Sequence, residues 1–397
     1  MTLTDLRFDP GVEHRDVVVV GARCAGSATA MLLARAGIDV LVVDRSPPGA
    51  DTLSTHALLR PGVQLLARWG LLDAVRDAGT PPVHRTVFHY DDQTIEVPIK
   101  ADGEVDALYA PRRTVIDPIL ADAAAASGAE IRFGTQVVGL IRDGFRVAGV
   151  VVDDGAGRRE IRARTVIGAD GVRSLVARTV GAPVEHRAQR HRAYAMHYVD
   201  GVAEDAYEYW FTSDDVDFGV MPTNDHRAVV FLDVTPERFA TDLRPDVPGG
   251  FVRLLEQSCP ALADRVAGRP RLRPRTFPGV HGFTRTPAGP GWALVGDAGC
   301  FTDPMSQHGM TSAFRDAELL AEQVLAVRRS LRSESAAGRA YRRSRDRIAI
   351  PLIDAVDGAL GTGGDLVAIQ RAHLEAASLI RSESRELSGR LVEELAS

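Results

Sequence analysis

Unbroken apolar runs alternate with helical spacing in the first part of the chain. Val17-Val18-Val19-Val20 ends at Gly21, and Val40-Leu41-Val42-Val43 ends at Asp44. Short continuous runs closed by glycine or an acid predict strands covered on both faces, as in a parallel sheet. Between them Ala30, Leu33 and Ala34 recur at helical spacing from about 26 to 36, and Gly37 closes the segment. The prediction is strand, tight turn, helix, strand. Two later runs have the same form, Thr165-Val166-Ile167-Gly168-Ala169-Asp170-Gly171 and Trp292-Ala293-Leu294-Val295-Gly296-Asp297. Further helices are predicted at 61–69, on to about 77, at 114–127, and from Gly309 to about Arg329 with Ala313, Ala317, Leu320, Ala321 and Val324 on the buried side.

A second rhythm interrupts the first. Residues 84–90 and 94–99 alternate about an Asp91-Asp92-Gln93 turn, and 194–199, 207–211, 218–222 and 228–232 also read as strands. Together they predict one largely antiparallel sheet. Residues 131–133, 137–141 and 145–152 predict three short strands forming a hairpin layer, and a helix at 249–258 precedes an arginine-rich, proline-broken return over 265–275. Residues 1–14 read as an irregular lead-in. The last stretch, 337–397, is helical with Gly361-Thr362-Gly363-Gly364 as a hinge; it is expected to cover the first domain or contact a subunit, and it has no catalytic signature.

Composition narrows the function classes. The chain has 397 residues, enough for two domains, and a net charge of -6 with Lys100 as the only lysine, which gives no footing for nucleic acid. Cys24, Cys259 and Cys300 make no C-x-x-C pair. A reducing cytoplasm suits that pattern, and neither a disulfide framework nor a zinc site does. No basic apolar leader and no membrane span is expected.

The chemistry concentrates where strands end in glycine. Gly21 lets the chain turn sharply and expose N–H groups at the start of the next helix, where phosphate binds. Gly21-Ala22-Arg23-Cys24-Ala25-Gly26 follows the dinucleotide pattern G-x-G-x-x-G except that Arg23 replaces the middle glycine. Arg23 then either turns away or folds over the phosphates as a counter-charge. Gly26 permits close packing of helix on strand, and Asp44 suits the two hydroxyls of an adenosine ribose. The competing reading is a buried turn without a ligand. After Ser46-Pro47-Pro48-Gly49, the loop Asp51-Thr52-Leu53-Ser54-Thr55-His56 is placed to pass over a dinucleotide. Asp170 is open to two readings, a ligand-side acid or a helix cap paired with Arg173. Tyr194, Tyr198, Tyr207, Tyr209, Trp210 and Phe211 form either a substrate wall or plain core. Met305, Ser306, Gln307, His308 and Met310 precede or open a helix whose N-terminus favours negative charge; for His308 the alternative is a surface or capping role.

With the three glycine segments in this order, the chain resembles the FAD-dependent monooxygenases of the para-hydroxybenzoate hydroxylase fold and their cousins, the geranylgeranyl reductase-like oxidoreductases. The resemblance covers roughly residues 14–335. It implies an α/β fold: a Rossmann-like FAD-binding domain with a βαβ unit (14–80, 105–185 and 280–335), an inserted mostly antiparallel substrate-binding sheet (81–104 and 186–279) and a helical C-terminal region (336–397). Extended FAD would meet Gly21, Ala22 and Gly26 at its diphosphate and Asp44 at its adenosine ribose. Arg113 would reach the diphosphate-to-ribityl region and Asp297 the ribityl chain, while Asp170 would act through backbone and water. Arg23, Ala25, Arg45, Gly296, Pro304, Gly309 and Met310 complete the implied cofactor-binding set. Met305, Gln307, His308 and Tyr209 are the implied catalytic residues.

The implied chemistry is transient reduction by NADH or NADPH, addition of O₂ at the flavin C4a position, and oxygen transfer from the hydroperoxide to a small aromatic or polycyclic metabolite. Such a protein is a monomer or homodimer with a small organic substrate. Gly296-Asp297-Ala298-Gly299-Cys300 departs from the usual alanine-histidine string and resembles reductase-like members, so an FAD reductase or dehydrogenase is the alternative, followed by a non-catalytic flavin-binding scaffold. The W-x-W-x-I-P string of halogenases is absent.

Overall fold

A computed structural model describes residues 12–396 apart from 92, 104, 203 and 204. Strands β1 (Glu13–Val20), β2 (Val40–Val43), β3 (Glu130–Arg132), β4 (Arg158–Gly168) and β5 (Trp292–Leu294) run parallel in the order β5-β4-β1-β2-β3. The continuous apolar runs are explained by two cores. Val17, Val19, Val40 and Val42 face one, and Val18, Val20, Leu41 and Val43 the other. The first core is built with α1 (Cys24–Arg35), which packs on the helices Arg113–Ala126 and Gly309–Arg328; the second holds the helix Leu175–Val180 and the antiparallel hairpin Gln136–Asp143 with Arg146–Asp153. Strand order reverses at β1, so a crevice opens at the carboxyl ends of β1 and β4, the usual place for a ligand in an open parallel sheet.

Helix α2 (Arg60–Arg68) follows the loop after β2, α3 (Arg113–Ala126) leads into β3, α4 (Leu175–Val180) follows β4, and α5 (Gly309–Arg328) returns from β5. The expectation of a three-stranded hairpin layer is corrected. Residues 130–132 pair with β2 in the parallel sheet, because α3 brings the chain back to that edge, and only 136–153 form the hairpin. The expected lead-in is shorter than 1–14: β1 begins at Glu13, and residues 1–11 lie outside the described residues.

The second sheet has the strand order 275–277, 193–200, 227–234, 217–223, 207–211, 85–90, 93–98. Neighbours are antiparallel except 207–211 with 85–90. Asp91 takes φ 45° in the predicted turn; its neighbour Asp92 is outside the described residues. Period-two alternation separates the faces. Ala195, Phe218, Val220, Val230 and Leu232 bury against the helix Val247–Ser258 through Phe251, Leu254 and Leu255. Met196, Phe231, Gly219, Tyr209, Phe88 and Ile95 share one row across the opposite face, directed at the first core.

The chain ends in α6 (Glu334–Leu360) and α7 (Leu366–Ala396), joined through Gly363 and Gly364 at φ 57° and 84°. Helix α7 lies on α2, where Gln64 and Ser388 bond at 3.0 Å. Among the described residues no helix is long and apolar enough to cross a membrane.

Candidate functional site

Three glycine turns interlock at the crevice. Gly21 has φ 107°, and a Cβ there would lie 2.5 Å from the Ala169 carbonyl oxygen; a Cβ on Gly26 would lie 1.8 Å from that of Gly21. Gly296 has φ 58° and would bring a Cβ to 2.8 Å from that of Ala25. Neither end of the turn after β1 admits a side chain, so backbone amides stand at the crevice surface. The first bond of α1 runs from the Ser27 N–H to the Arg23 carbonyl, and the amides before it have no intrahelical acceptor.

At the tip of β2 the Asp44 carboxylate accepts the Ala22 N–H at 2.8 Å and the Ser46 N–H at 2.7 Å. The acid is thereby fixed beside the glycine turn. It borders an open groove of about 300 Å³ with Ala22, Arg23, Pro47 and Phe133. Arg23 caps α1 with extended backbone and is half-buried at this groove; its guanidinium has no hydrogen bond or ion pair among the described residues. Arg45 is exposed.

Farther along, Arg113 at the start of α3 donates to Asp117 at 3.1 and 2.9 Å, and the Cys24 thiol donates to the same oxygen at 3.2 Å. Burial pushes Asp297 up to about 6, with Arg113 opposing the shift. No hydrogen bond to the Asp297 carboxylate is made by the described residues. Asp170 accepts from Ser174 Oγ at 2.5 Å and from the Leu175 and Val176 N–H groups at 2.6 and 3.2 Å. Its carboxylate caps α4, while Arg173 stands exposed outside the cap.

The second sheet contributes an aromatic floor. The Phe231 ring lies over Gly219, where a Cβ would come within 2.3 Å of it, and Tyr209 stacks on Phe88 with centroids 5.3 Å apart. Polar tips of the floor are tied to other segments. Tyr209 donates to Gln307 Oε1, Tyr194 donates to Asp303, and Tyr90 bonds His373 Nδ1 at 2.9 Å. Gln307 holds φ 51° just before α5, and Asp303 also accepts the Arg192 and Met305 N–H groups at 3.0 and 3.1 Å. The segment 303–307 is therefore pinned to the floor. Pro304 and Met305 are half-buried there, Gly309 is exposed, and Met310 is buried in the core.

His308 has a different position from the one expected of a catalytic group. It is fully buried; its Nε2 bonds Glu383 of α7 at 2.7 Å, and Glu383 also takes Arg315 at 3.3 Å. Burial works to raise the Glu383 carboxyl, but His308 and Arg315 overcome it and hold it at about 2. The C-terminal region, expected to cover the first domain or contact a subunit and to carry no catalytic signature, reaches the segment before α5: Glu383 anchors the start of that helix, and His373 packs on Phe211 with centroids 4.3 Å apart. Sequence reasoning also missed the pairing of His56 with Tyr198 at 2.5 Å and the buried Arg192 with Asp233 at 2.7 Å. Only the placement of residues 51–56 in a crevice-crossing loop pointed toward the former.

These residues fit an FAD: a cradle closed to any Cβ, an acid and a groove at one end, and an arginine with a half-buried acid farther in. Residues 14–356 match a family described as an FAD binding domain. The chain is 30% identical over 324 residues to digeranylgeranylglycerophospholipid reductase 2 of Methanopyrus kandleri, covering 74% of this chain and 73% of that protein. It is 30% identical over 325 residues to a menaquinone reductase of Mycolicibacterium smegmatis, covering 77% and 75%. A crystal structure of a probable FAD-dependent monooxygenase from Pseudomonas aeruginosa superposes with a TM-score of 0.77 at 20% identity, covering 91% of this chain and 100% of that one. That likeness shows the fold.

Proposed function

Because the chain belongs to the FAD-binding-domain family and is an FAD-dependent oxidoreductase, we propose that it is a monooxygenase using NADH or NADPH and O₂ to hydroxylate a flat aromatic or polycyclic metabolite. One observation carries the reading. The Tyr209–Gln307 bond joins the aromatic floor to the N-terminus of α5, so a planar apolar surface and a site favourable to negative charge meet at one place.

In this reading the amides after Gly21 and at the start of α1 hold the diphosphate, and Arg23 supplies a positive charge at the groove. Asp44 takes the adenosine ribose; Arg113 and Asp297 take the ribityl side. Bound FAD supplies electron transfer from the nicotinamide and activation of O₂. The protein's own part is to bind, orient and exclude water. Phe88, Tyr209 and Phe231 offer the substrate flat faces, and Gln307, with its Oε1 taken by Tyr209, keeps amide donors for the cofactor or substrate. His308 acts through position, by holding the start of α5 to Glu383.

A second reading, saturation of an isoprenoid or quinone-like substrate, is favoured by the two reductases at 30% identity. A substrate panel run under air and under nitrogen separates the two. The monooxygenase reading predicts substrate-stimulated NAD(P)H oxidation that consumes O₂. Coupled turnover persisting under nitrogen supports the reductase and removes the first reading.

A further inference from the structure

His56 lies in the loop between the adenosine end of the crevice and the second sheet. It is fully buried, and its backbone holds φ 64°, a left-handed conformation rare for residues with a Cβ and concentrated at functional sites. Its Nε2 is 2.5 Å from the Tyr198 hydroxyl, and the two rings stack with centroids 5.7 Å apart. Nδ1 is buried and has no hydrogen-bond partner among the described residues.

The neighbours assign the proton. Arg112 covers Tyr198, its guanidinium carbon 4.4 Å from the ring centroid, and binds Asp51 and Asp225 at 3.3 Å each. A cation over the ring makes the phenol a better donor and a poorer acceptor, and a neutral imidazole nitrogen accepts well, so the tyrosine hydroxyl gives its proton to His56 Nε2. The hydrogen-bond network thus leaves the imidazole proton on Nδ1. Burial, together with Arg113, Arg112 and Arg275, holds His56 well below the ordinary histidine range, so the ring is neutral. The outcome is a buried N–H donor with no acceptor among the described residues, fixed by a tyrosine and by its own backbone. Buried donors are almost always satisfied, and an orphan marks a missing acceptor.

The loop's course says what that acceptor is. Gly49 and Ala50 line the groove beside Asp44, while Leu58, just past His56, pairs with Tyr109 near the second sheet. The loop runs from the ribose end to the aromatic floor, the same path an extended dinucleotide takes. Arg113, placed beside Asp297 on that path, is also a charged neighbour of His56. We propose that His56 donates its Nδ1–H to an oxygen or nitrogen at the edge of the bound flavin ring, with Tyr198 as the positioning residue that fixes its tautomer. The proposal rests on the FAD placement described above.

FAD titration of the apoprotein, the visible spectrum of the bound flavin and its reduction potential test this without any substrate. His56→Ala is expected to raise the FAD dissociation constant roughly tenfold, as for one lost buried hydrogen bond. It is also expected to shift the visible band and lower the potential, since a donor at the ring edge stabilises charge gained on reduction. Asp44→Ala is expected to weaken binding with the band unchanged, and Tyr198→Phe to shift the band in the same direction by less. Should His56→Ala fail to fold, His56→Asn, whose side chain tolerates the left-handed φ, takes its place beside Tyr198→Phe. Wild-type band, potential and affinity in these variants overturn the proposal. So does an unchanged flavin with a changed substrate KM, which moves the acceptor to the substrate. A wild-type protein that binds no FAD overturns the FAD placement itself, and is recognised before any variant is made.

Discussion

A methyl group on Gly26 would collide with backbone rather than with a side chain that can swing aside, 1.8 Å from the Gly21 carbonyl oxygen. Gly26→Ala is therefore expected to cost about 1–3 kcal/mol, as overpacking does, and to release FAD; thermal unfolding and the FAD-to-protein ratio check both. Asp297 carries the opposite trade. Burial raises its folded-state pKa to about 6 from an unfolded value near 3.8, so between those values the folded chain holds the proton more tightly than the unfolded one. Stability of the apoprotein falls as pH rises through that window. Asp297→Asn is expected to flatten this slope and stabilise the apoprotein at pH 7 while weakening FAD binding. Denaturant unfolding at pH 4 and pH 7 measures the first effect, and FAD titration the second. Arg23 now has a place as well as a question: it stands at the groove wall without a partner among the described residues, and Arg23→Ala is expected to weaken FAD binding more at low salt than at high salt.

At the scale of elements, the parallel strands and the glycine turns were legible because their signals are local. Val17 to Gly21, Val40 to Asp44, and the segments ending at Gly168 and Gly296 each state strand and stop within a few residues. The floor was legible as strands, and its facing could be read from period-two alternation at Tyr209 and Phe211. What the sequence concealed was reach. Glu383 meets His308, His373 meets Tyr90, and His56 meets Tyr198 across long separations in the chain, and no local periodicity encodes such pairs. Asp170, which its motif left open between a ligand-side acid and a helix cap, has its carboxylate engaged by the α4 cap. The coupling of α7 to α5 has a measurable consequence. Glu383→Ala leaves Arg315 and His308 without their shared acceptor in the interior and is expected to cost about 3–5 kcal/mol, the range for breaking a buried ion pair. Because the wild-type carboxyl is held at about 2, its contribution is full above the unfolded value near 4.5 and fades as pH falls toward 2. Chemical denaturation of wild type and variant at pH 7 and pH 3 should therefore show a smaller difference at the lower pH.

Over the whole molecule, three seams converge: the crevice of the parallel sheet, the aromatic face of the second sheet, and the segment 303–309 held from behind by α7. In the proposed reading the first seam takes the dinucleotide, the second a flat substrate, and the third sets the polarity of the place where they meet. Family membership establishes the FAD oxidoreductase; the direction of its chemistry rests on that meeting point. Turnover with NAD(P)H and an aromatic or polycyclic substrate under ¹⁸O₂, with the product read by mass spectrometry, is the most direct measurement. The account predicts a product carrying one ¹⁸O atom. An unlabelled product that has gained two hydrogens instead would contradict it.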